Sequence, residues 1–290
     1  MPDSVLTPEL LAELRAWEGR SETLRDDATA APVRNLSATL DRDDPLPRAG
    51  TELPPLWHWL YFLPGYRQGD VGPDGHARRG GFLPPVPLPR RMWAGGRLSW
   101  HAPLRVGDSI ERTSTIASVT HKAGRTGDLV FVLVRHEVRN AQGLALTEEH
   151  DIVYRPLARP GEPVPPPQPA PAEAPWSREI VPDPVLLFRY SALTFNGHRI
   201  HYDRSYVTEV EGYPGLVVHG PLIATLLADL ARRERPGAPL RSFSFRAVRP
   251  TFDLHPFRVN GKPSPDGKGA QLWAQDHEGA LTMQAEVQFA

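Results

Sequence analysis

Eight prolines crowd the stretch from 158 to 175: Pro160, Pro163, Pro165, Pro166, Pro167, Pro169, Pro171 and Pro175. Proline lacks the backbone N–H that a ladder or a helix interior needs, and its φ is fixed, so this stretch runs extended. It falls near the middle of 290 residues, a length that already suggests more than one folding unit. The chain therefore reads as an N-terminal domain over 1–157, a linker over 158–175, and a C-terminal domain over 176–290.

The two parts carry similar material in the same order. In the first, Thr7-Pro8-Glu9 has the cap, the first-turn proline and the early acid of a helix start. Leu10, Leu11, Leu14 and Trp17 then share a face, and Gly19 is the expected stop. Residues 21–50 are polar and predict a surface connection. Leu56 to Leu63 is apolar nearly all round and predicts a buried helix. A Gly- and Pro-rich loop runs from Pro64 to Pro89 and ends in Arg90-Arg91-Met92-Trp93-Ala94-Gly95-Gly96; loops of that length tend to be functional. Strands are predicted at Ile110–Val119, Leu129–Val138 and Leu144–Tyr154, with Val130, Val132 and Val134 on one side of the second. In the second part, strands follow helical segments at Arg241–Val248, Phe257–Asn260, Ala270–Gln275 and Ala280–Phe289. The last strand of each part begins alike, Ala145-Leu146-Thr147 against Ala280-Leu281-Thr282. Two similar parts predict an internal pseudo-dimer whose interface forms the binding site.

Composition narrows the chemistry. With no cysteine, disulfides and thiolate catalysis are excluded. A formal net charge of −1 gives no reason to expect nucleic acid or an anionic membrane as partner. The acidic N-terminus is not a signal peptide, no window is apolar enough to span a bilayer, and the expected compartment is the cytoplasm. No glycine-rich nucleotide loop and no GxSxG motif occurs.

Two stretches carry the candidate chemistry. In Phe188 to Asp203, a short apolar helix containing Tyr190 leads to an Asn196-Gly197 turn and then to His198, Arg199 and His201. In Gly215 to Pro221, His219 and Gly220-Pro221 open an amphipathic helix whose buried face is Leu222, Ile223, Leu226, Leu227 and Leu230, with Asp229, Arg232, Arg233 and Glu234 toward water. Imidazole is the usual general base near neutral pH. A helix start gathers unpaired N–H groups and positive dipole, which suits an oxygen gaining negative charge. His198 and His201 have no third ligand nearby, so no metal is expected.

These residues carry a resemblance. Asn196-Gly197-His198-Arg199-Ile200-His201, followed by Val218-His219-Gly220, resembles the hydratase motif of MaoC-like (R)-specific enoyl-CoA hydratases. The N-terminal part, with Leu88 to Gly96, is similar to the first domain of the double-hotdog members, hydroxyacyl-thioester dehydratase type 2 and the mesaconyl-C4-CoA and itaconyl-CoA hydratases. The resemblance implies an α+β double hotdog: in each half an antiparallel sheet wraps a long helix, and the two sheets join edge to edge. Leu222 to Arg232 would be the central helix of the second half and Leu56 to Leu63 its counterpart in a degenerate first half that shapes the acyl pocket. It implies a hydro-lyase that adds water reversibly to an enoyl thioester of coenzyme A or acyl carrier protein. His201 would be the base and Gly220 the oxyanion donor. Asn196, which stands where the motif has Asp, would orient water.

His198, Arg199, His219 and Tyr190 are the expected pocket residues, and Arg90, Arg91, Arg246 and Arg249 the expected phosphate contacts. His198 and Arg199 could meet a carboxylate on a short branched dicarboxylic substrate of the mesaconyl or itaconyl type. Coenzyme A enters as part of the substrate, no separate cofactor or metal is expected, and a homodimer fits. Four alternatives remain open: a 3-hydroxyacyl-carrier-protein dehydratase; an acyl-CoA thioesterase using Asp229; a silent acyl-CoA-binding protein; and, within the hydratase, Asp203 as a helping acid.

Overall fold

Alternation of apolar and polar residues over 109–155 becomes three long strands that dominate the first half. The computed structural model describes residues 6–78, 80–124, 127–156 and 166–290. The first-half strands are β1 (Ser21–Asp27), β2 (Arg90–Trp100), β3 (Ser109–Gly124), β4 (Gly127–Asn140) and β5 (Gly143–Arg155). The second-half strands are β6 (Trp176–Ile180), β7 (Leu240–Ala247), β8 (Phe257–Pro263), β9 (Gly269–Gln275) and β10 (Leu281–Phe289). The helices are α1 (Pro8–Arg15), α2 (Ala30–Thr39), α3 (Pro184–Leu193) and α4 (Gly220–Glu234). As the pattern predicts, Val130, Val132 and Val134 are the buried side of β4.

All strands join one antiparallel sheet in the order β1-β3-β4-β5-β2-β7-β10-β9-β8-β6. Each half repeats the same order from its outer edge inward, and the halves meet where β2 pairs β7 from Gly95 opposite Arg246 to Ser99 opposite Ser242. This is the double hotdog that the resemblance implies. Gly95 and Gly96 sit inside β2 and form no turn. A Cβ at Gly95 would fall 2.5 Å from the Phe245 carbonyl oxygen, and one at Gly96 would fall 2.9 Å from the Phe245 ring.

The polar segment 21–50 also departs from expectation. It contains β1 and α2, not a bare connection. Its polarity reflects an edge strand held to β3 by polar pairs: Thr23 with Thr113 at 3.0 Å and Arg25 with Glu111 at 2.9 Å. Of the proline run, residues 158–165 lie outside the described residues. Its end is tied down, with Pro169 bridged to Ala280 and the Leu281 N–H bonded to the Gln168 carbonyl at 2.8 Å.

α4 is the central helix of the second half. Leu222, Ile223, Leu226, Leu227 and Leu230 are all buried, as the amphipathic pattern predicts. Asp229 does not face water: it is 1% exposed. Arg42 Nη1 reaches it at 2.6 Å, Arg233 Nε at 2.7 Å, Arg178 Nη1 at 3.4 Å and Arg232 Nη1 at 3.7 Å.

The first half has no matching helix among its described residues. Leu56 to Leu63 forms only a four-residue 3-10 turn, Trp57–Leu60. Leu56 and Phe62 both take positive φ, 70° and 56°, which no helix tolerates, and Pro54-Pro55 and Pro64 flank the segment. The turn is instead locked from below by Glu148 of β5, which is 2% exposed. Its carboxylate accepts from Trp59 Nε1 at 2.9 Å and meets His58 Nε2 at 2.8 Å and His150 Nε2 at 2.5 Å. Among the described residues no helix is long and apolar enough to cross a membrane.

Glu148→Ala removes the one buried carboxylate that His58, Trp59 and His150 share. The expected loss is about 3–5 kcal/mol of stability, read as a lower urea midpoint with an unchanged slope.

Candidate active site

α3 is started by Asp183, whose Oδ1 accepts from the Val185 and Leu186 N–H groups at 2.7 and 3.0 Å. Past its end, Phe195 adopts φ 49°, and the Asn196 N–H returns to the Ser191 carbonyl at 2.8 Å. Asn196 Oδ1 accepts from the His198 N–H at 3.0 Å, an Asx turn that aims the chain into a 3-10 turn, Arg199–His201. The second stretch lies against it. The Val217 N–H donates to Ile200 O at 3.0 Å, and the Val218 N–H to Thr251 O at 2.8 Å. His219 then occupies the cap position of α4.

The two stretches meet through imidazoles. The His201 and His219 rings stack with centroids 3.7 Å apart and planes 18° from parallel. His201 is 7% exposed, and its Nδ1 lies 2.6 Å from the Val217 carbonyl. A carbonyl only accepts, so Nδ1 carries the proton and Nε2 keeps its lone pair. Burial pushes His201 down to about 4, partly opposed by the Val217 bond. Burial, then the neighbouring His76 and His201, pushes His198 down to about 2. Burial likewise holds His219 well below the usual range. All three rings are neutral at pH 7, and His201 presents a neutral base.

His219 Nε2 meets Ser191 Oγ at 2.8 Å. Its Nδ1 is buried and has no partner among the described residues. Gly220 opens α4 beside this ring; the nearest atom to a Cβ there would be Met283 Cε, at 4.0 Å. A side chain there would make an ordinary van der Waals contact, and the first N–H groups of the helix have no intrahelical partner.

Other sequence-predicted residues have different tasks. Asn196 uses its side-chain oxygen in the turn, where it accepts from the His198 N–H. Arg199 is no free cation: Nη2 holds Asp203 Oδ2 at 2.7 Å, and Nη1 donates to Pro73 O at 3.0 Å. That pairing also occupies Asp203, which further accepts from Ser205 Oγ and the Tyr206 N–H, so it is not a helping acid. Tyr190 is buried and meets the His219 ring edge-on. Arg246 is exposed next to inward-facing Phe245, so it lies on the sheet face away from α4. Arg249 lies on the connection that bonds Val218 and reaches Asp276 at 3.4 Å. Arg90 opens β2, where Nη2 is 3.8 Å from Glu211 and Cζ is 5.4 Å from the Tyr213 ring centre. Arg91 is exposed, and its charge reaches both His198 and Tyr66.

Two residues escaped the sequence reading. Asp74 and His76, in the first-half loop, bring ligand-type atoms within 4.8 Å of those of His198. The one signal was Gly72-Pro73-Asp74-Gly75-His76, a turn sequence followed by an imidazole in a long loop.

The neutral imidazoles set an acid limit on stability. In the unfolded chain each histidine takes a proton near pH 6.5; the folded His201 resists until about 4. Stability is therefore expected to fall as pH drops from about 6.5 to 4. The fall should be shallower in His198→Gln, read as melting temperature against pH.

Comparison with known proteins agrees with this geometry. The family model for hydroxyacyl-thioester dehydratase type 2 matches residues 56–253. The mesaconyl-C(4)-CoA hydratase of Chloroflexus aurantiacus is 49% identical over 281 residues, covering 96% of this chain and 98% of that protein. The mitochondrial hydroxyacyl-thioester dehydratase type 2 of Schizosaccharomyces pombe is 28% identical over 266 residues, covering 81% and 88%. The crystal structure of HtdX from Mycobacterium tuberculosis superposes with a TM-score of 0.63 at 16% identity, over 93% of this chain and 100% of that one. Sheet order, helix start and sequence likeness lead to one assignment: the chain belongs to the hydroxyacyl-thioester dehydratase type 2 family.

Proposed function

We propose that the chain is a hydro-lyase that adds water reversibly across the double bond of an enoyl-CoA. The observation that carries this is the neutral His201, its Nε2 lone pair free, stacked on the residue that opens α4. Nε2 takes a proton from water as the water oxygen bonds to the β-carbon. The displaced π electrons move toward the thioester carbonyl. The developing enolate oxygen rests on the Gly220 N–H, a type of donor worth roughly 3–4 kcal/mol. Proton transfer to the α-carbon completes the addition. If Ser191 donates to His219 Nε2, the unpartnered Nδ1 carries a hydrogen and adds a second donor next to Gly220.

The proposed substrate is a short branched dicarboxylic enoyl-CoA of the mesaconyl-C4 or itaconyl type, giving citramalyl-CoA. The likeness to a mesaconyl-C(4)-CoA hydratase supports it. With Arg199 paired to Asp203, Arg91 is the cation placed to meet the free carboxylate. Coenzyme A is needed only as part of the substrate, no metal takes part, and the chain works in the cytoplasm as a homodimer. The thioesterase alternative needs a mobile carboxylate. Asp229 lies nine residues beyond Gly220 and is held by four arginines, so it cannot attack a thioester.

A panel of enoyl-CoA thioesters tests the proposal. The expected result is loss of conjugated absorbance without release of free thiol; thiol release, or no turnover at all, would overturn it. His201→Ala is expected to lower kcat by about 10²–10⁴ with the fold intact. Arg91→Ala should raise KM for the dicarboxylic substrate more than for an unbranched monocarboxylic one.

A further inference from the structure

Position 196 bears an amide where the resembling motif has a carboxylate, and the oxygen of that amide accepts from the His198 N–H in a turn. The first half brings another carboxylate to the same place. Its loop docks on the turn: the Arg199 N–H donates to Asp74 O at 2.9 Å, and Arg199 Nη1 reaches Pro73 O at 3.0 Å. Gly75, at φ 90°, packs so closely that a Cβ would fall 1.8 Å from the Gly197 carbonyl oxygen. Within the docked loop Asp74 Oδ1 accepts from the His76 N–H, and Oδ2 lies 3.1 Å from His76 Nδ1. The carboxylate orients the ring with Nδ1 protonated, leaving Nε2 as its free nitrogen. The His76 ring centre is 4.0 Å from that of His198, which in turn stands perpendicular to His201 at 5.4 Å.

A shared metal fits this arrangement poorly. Two imidazoles on one tetrahedral ion hold their centres about 5 Å apart, whereas these rings lie closer and tilted by 38°. A carboxylate bonded to Nδ1 of a histidine is instead the arrangement of an oriented acid–base pair.

We propose that Asp74 and His76, contributed by the first half, form the second proton-transfer pair of the site and replace the carboxylate absent at position 196. The proposal rests on the hydratase reading above. In hydration His201 Nε2 accepts one proton from water as the oxygen–carbon bond forms. His76, once solvent has added a proton at Nε2 and with its Nδ1–H held by Asp74, gives that Nε2 proton to the α-carbon as the enolate collapses. His201 then releases its proton to solvent, and solvent reprotonates His76. The balance is one water added and no net change in the protein. The charged and titratable groups around His76 are Asp74 on its own loop, His198 and His201 on the facing turn, and Arg91 and Tyr66 at the margin.

The test uses the full chain and the enoyl-CoA that it turns over best. His76→Ala is expected to lower kcat by about 10²-fold or more with KM little changed. Added imidazole should restore part of the rate, increasingly so toward the pH at which imidazolium is abundant. Asp74→Asn, which keeps the shape of the loop, should lower kcat and alter the alkaline limb of the rate profile while leaving the melting temperature near that of the parent. Full activity in both variants, or a loss in His76→Ala that imidazole does not restore and His76→Gln does, would overturn the pair while leaving the hydratase reading intact. If the parent chain hydrates no enoyl-CoA, both fall together.

Discussion

The hydrogen bond from His201 Nδ1 to the Val217 carbonyl is one half of a reciprocal clamp, because the Val217 N–H donates back to the carbonyl of Ile200. Two segments sixteen residues apart thus fix each other. The clamp settles the tautomer of His201 and the entry angle of the segment that becomes α4. It works only because water is excluded. An exposed imidazole would share its proton between two nitrogens and be partly charged near its ordinary pKa. Buried, the ring is neutral with a single free lone pair, and the same burial makes it resist the proton that acid would force on it. Chemistry at neutral pH and fragility in acid have one cause.

The two halves differ at the step that corresponds to the floor of the α4 start. Aligning Ala145-Leu146-Thr147 with Ala280-Leu281-Thr282 puts Glu148 at the step that Met283 occupies. In the second half the methionine forms an apolar floor 4.0 Å from where a Gly220 Cβ would stand, and the helix start keeps its donors. In the first half the glutamate rises into the corresponding space and binds His58, Trp59 and His150. It also stabilises a four-residue turn in place of a helix.

Much of this was legible in the chain itself, where local pattern decides structure. Strand patterning found β3, β4, β5, β7, β8, β9 and β10, and the Gly220-Pro221 start with its leucine stripe found α4. The Asn196-Gly197 turn found the approach to His201. What stayed hidden depends on partners far along the chain. Leu56 to Leu63 reads as a helix by composition, but two left-handed residues and a distant glutamate decide otherwise. Asp229 reads as a solvated acid until Arg42 and Arg178 arrive from other elements. Asp74 and His76 carry no periodic signal, since their place is set by contact with Gly197 more than a hundred residues later. Arg199 looks free in sequence, and its pairing with Asp203, a helical i,i+4 spacing, was the local cue that could have removed it.

The arginines around Asp229 complete the logic of α4. A helix carries partial positive charge at its start and partial negative charge at its end. At the end, Arg232 and Arg233 of the helix itself are joined by Arg42 from the first half and Arg178 from β6. Arg178 and Arg233 also donate to the Leu40 carbonyl, which ties the end of α2 to the end of α4. Two cations from outside the helix thus brace its negative end against both halves, and Asp229 holds them there. The positive end is left with unpaired N–H groups, a glycine and an apolar floor, the place to which the proposed reaction assigns the enolate oxygen. Anchorage at the far terminus limits how far the helix can slide along its axis. Its donors are therefore preorganised, which makes an N–H worth more to a transition state than to a ground state.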